Sequence, residues 1–196
     1  METLEQSGAR PLLVVGGNLA LDFANTVDDP GGPADFDHLR DAGRCLTWAR
    51  HFGLVDESAA GDPQAPAALR RLRDALLSGF TAVADDGPFP EPAWHELRRA
   101  VAHAVARADL VVVEGAVRLR PPANDLGTVA DAVALAAHEL LTGDQLHRVK
   151  HCAKCHWVFL DRSKNGSRRW CSMDDCGGAV KMRRYVARRA ARRAAP

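Results

Sequence analysis

Residues 152–176 read CAKCHWVFLDRSKNGSRRWCSMDDC and contain four of the five cysteines in the chain. Their spacing is Cys152-x2-Cys155-x15-Cys171-x4-Cys176, which is two short-range pairs separated by a segment long enough to double back. A gap of two residues lets one tight turn present two thiolates to a single ion, and structural Zn²⁺ prefers four tetrahedral ligands of this soft kind. The spacing therefore predicts a structural zinc ion, with disulfides or an iron–sulfur cluster as the alternatives.

The residues around these cysteines predict a small treble-clef-like finger. The apolar run at 157–160 is typical of a strand, Ser163–Gly166 is typical of a turn with Asn-Gly at its tip, and 167–170 leads back to the second cysteine pair. We therefore predict a hairpin around Asn165-Gly166. Residues 179–195 are rich in helix formers, so the second pair is expected to open a helix. A module of about 45 residues buries too little apolar area to fold alone, and metal coordination would supply the missing free energy.

Charge is divided unevenly along the chain. Residues 1–142 carry 12 basic and 21 acidic side chains, a net charge of −9, whereas residues 143–196 carry 14 basic and 4 acidic, a net charge of +10. A compact segment of this charge attracts polyanions, so we assign nucleic-acid binding to the C-terminal end. The alternative is a solvated terminal helix whose arginines reflect a GC-rich genome. The predicted contact residues are Lys164, Arg168, Arg169, Lys181, Arg183, Arg184, Arg188, Arg189 and Arg192.

The part before Gly143 is expected to be an α+β domain, mostly helical with a few strands. Apolar residues repeat at spacings of three and four in several segments, and the period changes to alternation after Leu110. We predict a strand at 12–15, a short element at 19–23, helices within 37–52, 69–83, 94–104 and 126–141, and a hairpin of 110–113 with 117–120. The lone Cys45 is interpreted as a small buried apolar residue.

Taken together, two motifs resemble the CGNR zinc-finger family, bacterial proteins in which a domain called ABATE precedes a C-terminal finger. The front motif is GNLALDFANT at 17–26, and the back motif comprises WVFLD at 157–161 and NGSRRWCSM at 165–173. The charge change near Gly143 divides the chain into domains 1–142 and 143–196. The resemblance implies zinc binding by the four cysteines, DNA binding through the basic C-terminus and a stress-related regulatory role. Gly178 and Ala179 replace the Asn and Arg of the name-giving motif, so we expect changed specificity before lost binding.

The front motif also contains polar residues that follow a predicted buried segment. Asp22, Asn25 and Thr26 have two interpretations: a small-molecule effector site, or capping and turn hydrogen bonds that serve only the fold. The second interpretation requires no ligand. The sequence shows no nucleophile with a nearby base, no paired carboxylates and no phosphate loop, so we do not predict an enzyme.

The predicted protein is a cytoplasmic, zinc-dependent, DNA-binding transcription regulator whose N-terminal domain senses an effector or mediates self-association as a homodimer. The start of the chain lacks a signal-peptide apolar region, and no segment has the roughly 18–20 apolar residues that span a bilayer. Two alternatives remain: an RNA-binding or ribosome-associated protein, and a protein-interaction adaptor whose finger is only a scaffold.

Overall fold

A computed structural model of the chain describes residues 12–28, 36–122 and 125–194. Helices dominate, and the strands form three separate antiparallel pairs, which confirms the α+β class. In chain order the elements are α1 Leu19–Ala24, β1 Val27–Asp28, β2 Phe36–Asp37, α2 Ala42–His51, α3 Ala65–Ala84, α4 Glu91–Arg107, β3 Asp109–Val113, β4 Ala116–Arg120, α5 Leu126–Thr142, β5 Val149–His151, β6 Val158–Leu160 and α6 Gly178–Ala194.

The core of the N-terminal part lies between helices α1, α3 and α5, with α2 and α4 packed on its sides. Phe23 and Trp48 meet edge to face in it, and Leu76 and Phe80 are fully buried beside them. Cys45 belongs to the same cluster, as predicted. Its burial raises the pKa of the thiol to about 12, which is the behaviour of a small apolar residue rather than of a reactive one.

Helix boundaries follow local capping chemistry. Helix α2 begins at Ala42 because the Asp41 carboxylate accepts the N–H of Arg44. The predicted helical segment started at residue 37, but this residue lies in β2. Helix α5 begins in the same way, with Asp125 accepting the N–H of Thr128, and ends before Gly143. The predicted hairpin is confirmed as β3 and β4, joined by Glu114 and Gly115 with positive φ angles.

Residues 12–15 do not form the predicted strand. The Asp22 side chain accepts the backbone N–H groups of Val15 and Gly16, at 3.0 and 2.7 Å, so these donors are not free for a ladder. A Cβ atom at Gly16 would lie 2.7 Å from the backbone nitrogen of Asp22, which explains why the chain needs glycine at this close approach. The apolar side chains of Leu13 and Val14 are exposed rather than buried.

The predicted hairpin around Asn165-Gly166 is also wrong. The turn exists, with the Gly166 N–H donating to the Ser163 carbonyl at 3.2 Å, but β6 pairs with β5 on the other side of the first cysteine pair. Strand β6 is buried on both faces, because Val158 and Leu160 join the main core while Phe159 packs with the cysteines. The finger therefore shares a strand with the core of the N-terminal part.

Candidate metal centre and basic surface

The four cysteine thiols converge on one point at the start of α6. Cys152 directly follows β5, and its backbone N–H donates to the Trp157 carbonyl at 2.9 Å, which closes the knuckle that also holds Cys155. Cys171 lies two residues before a wide helical turn at Met173–Gly177 that leads into α6, and Cys176 lies within that turn. All four sulfur atoms lie within 4.8 Å of one another.

These sulfur atoms fit a tetrahedral zinc ion. The Sγ atom of Cys171 lies 3.6 Å from those of Cys155 and Cys176, and Zn–S bonds of about 2.3 Å in a tetrahedron place sulfurs about 3.8 Å apart. Three of the four cysteines are buried. The donor set, its spacing and its shielding from solvent are therefore those of a structural zinc site, and Cys152, Cys155, Cys171 and Cys176 are able to hold the ion.

The thiols of the cluster differ in acidity because each is affected by its neighbours. The hydrogen bond from Cys171 lowers the pKa of Cys155 to about 5, whereas burial and the charge of the Cys155 thiolate raise the pKa of Cys176 to about 12. The pKa of Cys171 is also raised, first by its hydrogen bond to Cys155 and then by burial and the charge of the neighbouring thiolates. Four thiolates at this distance repel one another, and a divalent cation between them removes that repulsion.

A predicted nucleic-acid contact, Arg168, supports the metal site from inside. Its guanidinium donates to the carbonyls of Trp170, Val15 and Cys171, and it stacks 4.3 Å from the centre of the Phe159 ring. These contacts use the planar fork of the side chain for structure. Arg168 is therefore placed as a positioning residue of the Cys171 segment rather than on the free basic surface.

Sequence reasoning missed the role of Asp161, although this residue belongs to the back motif. Its buried carboxylate accepts the backbone N–H groups of Ser163 and Arg168, each at 2.9 Å, and the Lys150 ammonium at 2.8 Å. Burial alone would raise the pKa of Asp161, but these donors hold it well below its ordinary value. Lys150 also donates to the Gly166 carbonyl, so one ion pair shapes the whole loop at 161–168.

The front motif meets the finger. The Asn25 carboxamide accepts the N–H of Val158 at 3.0 Å and donates to its carbonyl at 2.8 Å. The Trp157 indole N–H donates to the Val27 carbonyl at 2.9 Å, and the His156 Nε2 lies 2.8 Å from that same oxygen. The Arg162 guanidinium donates to the Gly17 carbonyl at 2.6 Å.

Asp22, Asn25 and Thr26 are buried in this contact region, and each uses its side chain on backbone groups. Asp22 bonds the amides of residues 15 and 16, Asn25 bonds Val158, and the Thr26 hydroxyl donates to the Phe23 carbonyl at 2.8 Å. This arrangement is the one expected if the three side chains make capping and turn hydrogen bonds that serve only the fold. The effector interpretation stays a prediction.

Six of the nine predicted contact residues have exposed side chains in the part of the chain that the structure describes, and we call this group the basic surface. Helix α6 packs chiefly on the wide turn that precedes it. The Arg169 guanidinium lies 5.7 Å from the centre of the Trp170 ring. Arg184 and Arg192 occupy positions on α6, but their side chains lie outside the described residues. The exposed side chains that define the basic surface are Lys164, Arg169, Lys181, Arg183, Arg188 and Arg189.

The fold and the thiol cluster define the chain as a helical α+β protein with a C-terminal four-cysteine zinc finger. Residues 17–144 match the ABATE family, described as "Putative stress-induced transcription regulator", and residues 148–189 match the CGNR zinc finger. The chain belongs to the ABATE family and carries a CGNR zinc finger, and both descriptions are of regulator and zinc-finger types rather than enzymes. No curated protein matches the sequence.

Within residues 12–28, 36–122 and 125–194, none of the helices has both the length and the apolar character that a membrane crossing requires.

Proposed function

We propose that this protein is a zinc-dependent, DNA-binding transcription regulator of the cytoplasm and that it has no catalytic activity. The finger and α6 contact DNA, and the N-terminal part regulates that contact. The observation that carries the proposal is the basic surface. Helix α6 begins just after the turn that holds the buried Cys176, and the lysine and arginine side chains that the structure describes on it are exposed. Zinc would fix the start of the helix, and the helix would present the cations.

The dimensions of α6 suit a DNA groove. Its 17 residues span about 25 Å at about 1.5 Å per residue, and a helix fits the major groove, which is about 12 Å wide. Lys181 and Arg188 share one side of the helix because seven residues complete about two turns. Contacts of this kind to phosphates attach and orient a protein on DNA, while base contacts determine sequence preference.

The N-terminal part is suited to a regulatory role because it is joined to the finger through buried contacts. Asn25 and Trp157 join the two parts by hydrogen bonds, and β6 contributes to the cores on both sides. A ligand that shifts α1 would therefore shift the finger. A thiolate zinc site also suits the reducing cytoplasm, where clustered cysteines remain free of disulfides.

A charge-reversal experiment tests DNA binding. The double variant Arg188→Glu/Arg189→Glu should weaken binding to duplex DNA and lower the slope of log affinity against log salt by about 2, since each phosphate contact contributes about 0.9 to the slope. Fluorescence anisotropy of the zinc-loaded protein at several salt concentrations measures both quantities. If the wild-type protein shows no salt-sensitive binding to duplex DNA at low ionic strength, the proposal is wrong.

The matched control is Arg98→Glu/Arg99→Glu, which makes the same charge change at two adjacent exposed positions on α4. This variant should bind DNA with nearly the wild-type slope. Structured RNA serves as a competitor in the same assay. If RNA displaces labelled duplex DNA at a far lower concentration than unlabelled DNA does, the protein is an RNA-binding protein. If the protein binds neither DNA nor RNA, the result supports the protein-interaction adaptor instead.

Genome-wide mapping of bound DNA connects the metal to recognition. Sites occupied by the intact protein should lose occupancy in Cys171→Ser, because one missing thiolate leaves the finger without its structural ion. Retention of all sites by a variant that no longer holds zinc would contradict zinc-dependent DNA binding.

A further inference from the structure

The hairpin of β3 and β4 carries an apolar face that the other described residues cover only at one end. Directly opposed residues in an antiparallel pair lie on the same face, so Leu110, Val112, Val117 and Leu119 share one side. Leu119 packs against Ala104 and Leu135 of the helices. Leu110, Val112 and Val117 are 74%, 75% and 62% exposed.

The two outer edges of this hairpin differ in their protection. Strand β4 carries Arg118 and Arg120 and is followed by Pro121, which are the features that keep an edge strand from pairing with another chain. Strand β3 reads DLVVV and has neither lysine, arginine nor proline. Among the described residues, β3 pairs with β4 alone, and a two-stranded sheet is only marginally stable in water.

The hairpin register shows which backbone groups of β3 face outward. The strands are joined by the two-residue turn at Glu114 and Gly115, so Val113 and Ala116 form a hydrogen-bonded pair, as do Val111 and Arg118. Leu110 and Val112, which alternate with the hydrogen-bonded residues along β3, direct their N–H and carbonyl groups away from β4. Strand β3 thus presents two outward-facing pairs of N–H and carbonyl groups, those of Leu110 and those of Val112, on either side of Val111.

We infer that β3 is the dimerisation edge of this protein and that its partner is the β3 strand of a second copy. A twofold axis at Val111 places Leu110 opposite Val112 of the second copy, so both outward sets of groups are satisfied in one antiparallel ladder. Asp109 then lies opposite Val113 of the second copy, which avoids opposed like charges. The same pairing through β4 would place Arg118 against Arg118, which is destabilising.

The resulting four-stranded sheet would join the apolar faces of two hairpins. The dimer would also carry two basic surfaces related by the twofold axis. The inference does not depend on DNA binding, because it rests on the edge and face of the hairpin alone and its test contains no DNA.

The test is the mass in solution of the full-length, zinc-loaded protein, measured by sedimentation over micromolar to millimolar concentrations. The wild type should approach twice the chain mass of 21.2 kDa. Val111→Lys and Val111→Glu should each remain monomeric, because like charges meet at the twofold axis. A mixture of the two variants should recover the dimer, since lysine then opposes glutamate.

The mixing step separates loss of the interface from loss of the fold, because a misfolded variant would not regain a partner by charge complementarity. Val112→Pro is a second variant that removes an outward N–H while leaving the bonds to β4 in place. Val117→Lys, on the same apolar face but on β4, is the control and should still dimerise. A monomeric wild type, or a dimer that survives Val111→Lys and Val112→Pro, would overturn the inference.

Discussion

The side-chain amide of Asn25 is hydrogen-bonded to both the backbone N–H and the backbone carbonyl of Val158, a residue 133 positions further along the chain. The amide acts as a short piece of strand at the open edge of β6. Both partners are buried, so neither backbone group can turn to water. The end of α1 and the finger are therefore connected by a pair of bonds that only a carboxamide of this length can make.

Asn25→Asp should destabilise the protein by about 3 kcal/mol, because the carboxylate still accepts the Val158 N–H but leaves the Val158 carbonyl without a donor. Urea unfolding of the zinc-loaded protein measures this difference. Asn18→Asp is the control, since the Asn18 side chain acts only as an acceptor for the Ala20 N–H at the start of α1. Equal stabilities of Asn25→Asp and wild type would contradict the structural role.

Removal of zinc should unfold only part of the finger. Chelation is expected to expose the amides of residues 152–156 and 167–178, whereas β5 and β6 keep their protection because Val149, Val158 and Leu160 lie in the main core. Hydrogen exchange with and without a chelator gives the pattern directly. Cooperative loss of protection in α1, α3 and α5 together with the finger would show that the two cores are one folding unit.

Cys45 should remain unreactive toward alkylating reagents at neutral pH in the folded protein, with or without zinc. Burial raises its pKa to about 12, so its thiolate fraction at pH 8 is about 10⁻⁴. The raised folded pKa means that its contribution to stability is present below the unfolded pKa of about 8.5 and is lost as pH rises toward 12. Mass spectrometry after labelling should find four modified cysteines with chelator and five after urea.

Asp161→Asn should cost about 2 kcal/mol at pH 7, since a neutral amide cannot replace a carboxylate that accepts Lys150 and two backbone N–H groups. The folded pKa is lowered, so the stabilisation is complete above the unfolded pKa of about 4 and declines as pH falls through the folded value. Between about pH 6 and 8 the difference from wild type should stay constant. Asp144→Asn, at an exposed position, is the control and should be neutral.

Arg168→Lys should weaken zinc retention about tenfold, as is typical when a residue that orients metal ligands is lost. Lysine carries the same charge but cannot reach the carbonyls of Val15, Trp170 and Cys171 together. Competition with a colorimetric chelator measures the effect. Arg169→Lys, one residue away and exposed, should retain zinc normally. If Arg169→Lys loses zinc and Arg168→Lys does not, the assigned roles of the two arginines are wrong.

The thiol spacing, the helical periodicity and the alternation at β3 and β4 were sufficient to predict the metal site, the main helices and the hairpin. Each of these signals is local, because ligand spacing and side-chain period depend on residues close in sequence. The charge boundary near Gly143 likewise required only counting. Such signals can be interpreted without knowing which segments of the chain contact one another.

Contacts between distant residues were decided by the tertiary structure. Residues 12–15 have the apolar pattern of a strand, but the Asp22 carboxylate binds the amides of Val15 and Gly16. Residues 157–160 have the pattern of one strand of a hairpin with 167–170, but β6 pairs with β5 instead. Arg168 looks like any other arginine of a basic segment until Phe159 and three carbonyls surround it. The physical reason is the same in each case: a backbone or guanidinium donor bonds whichever acceptor the packed core places beside it, and the sequence does not state which one that is.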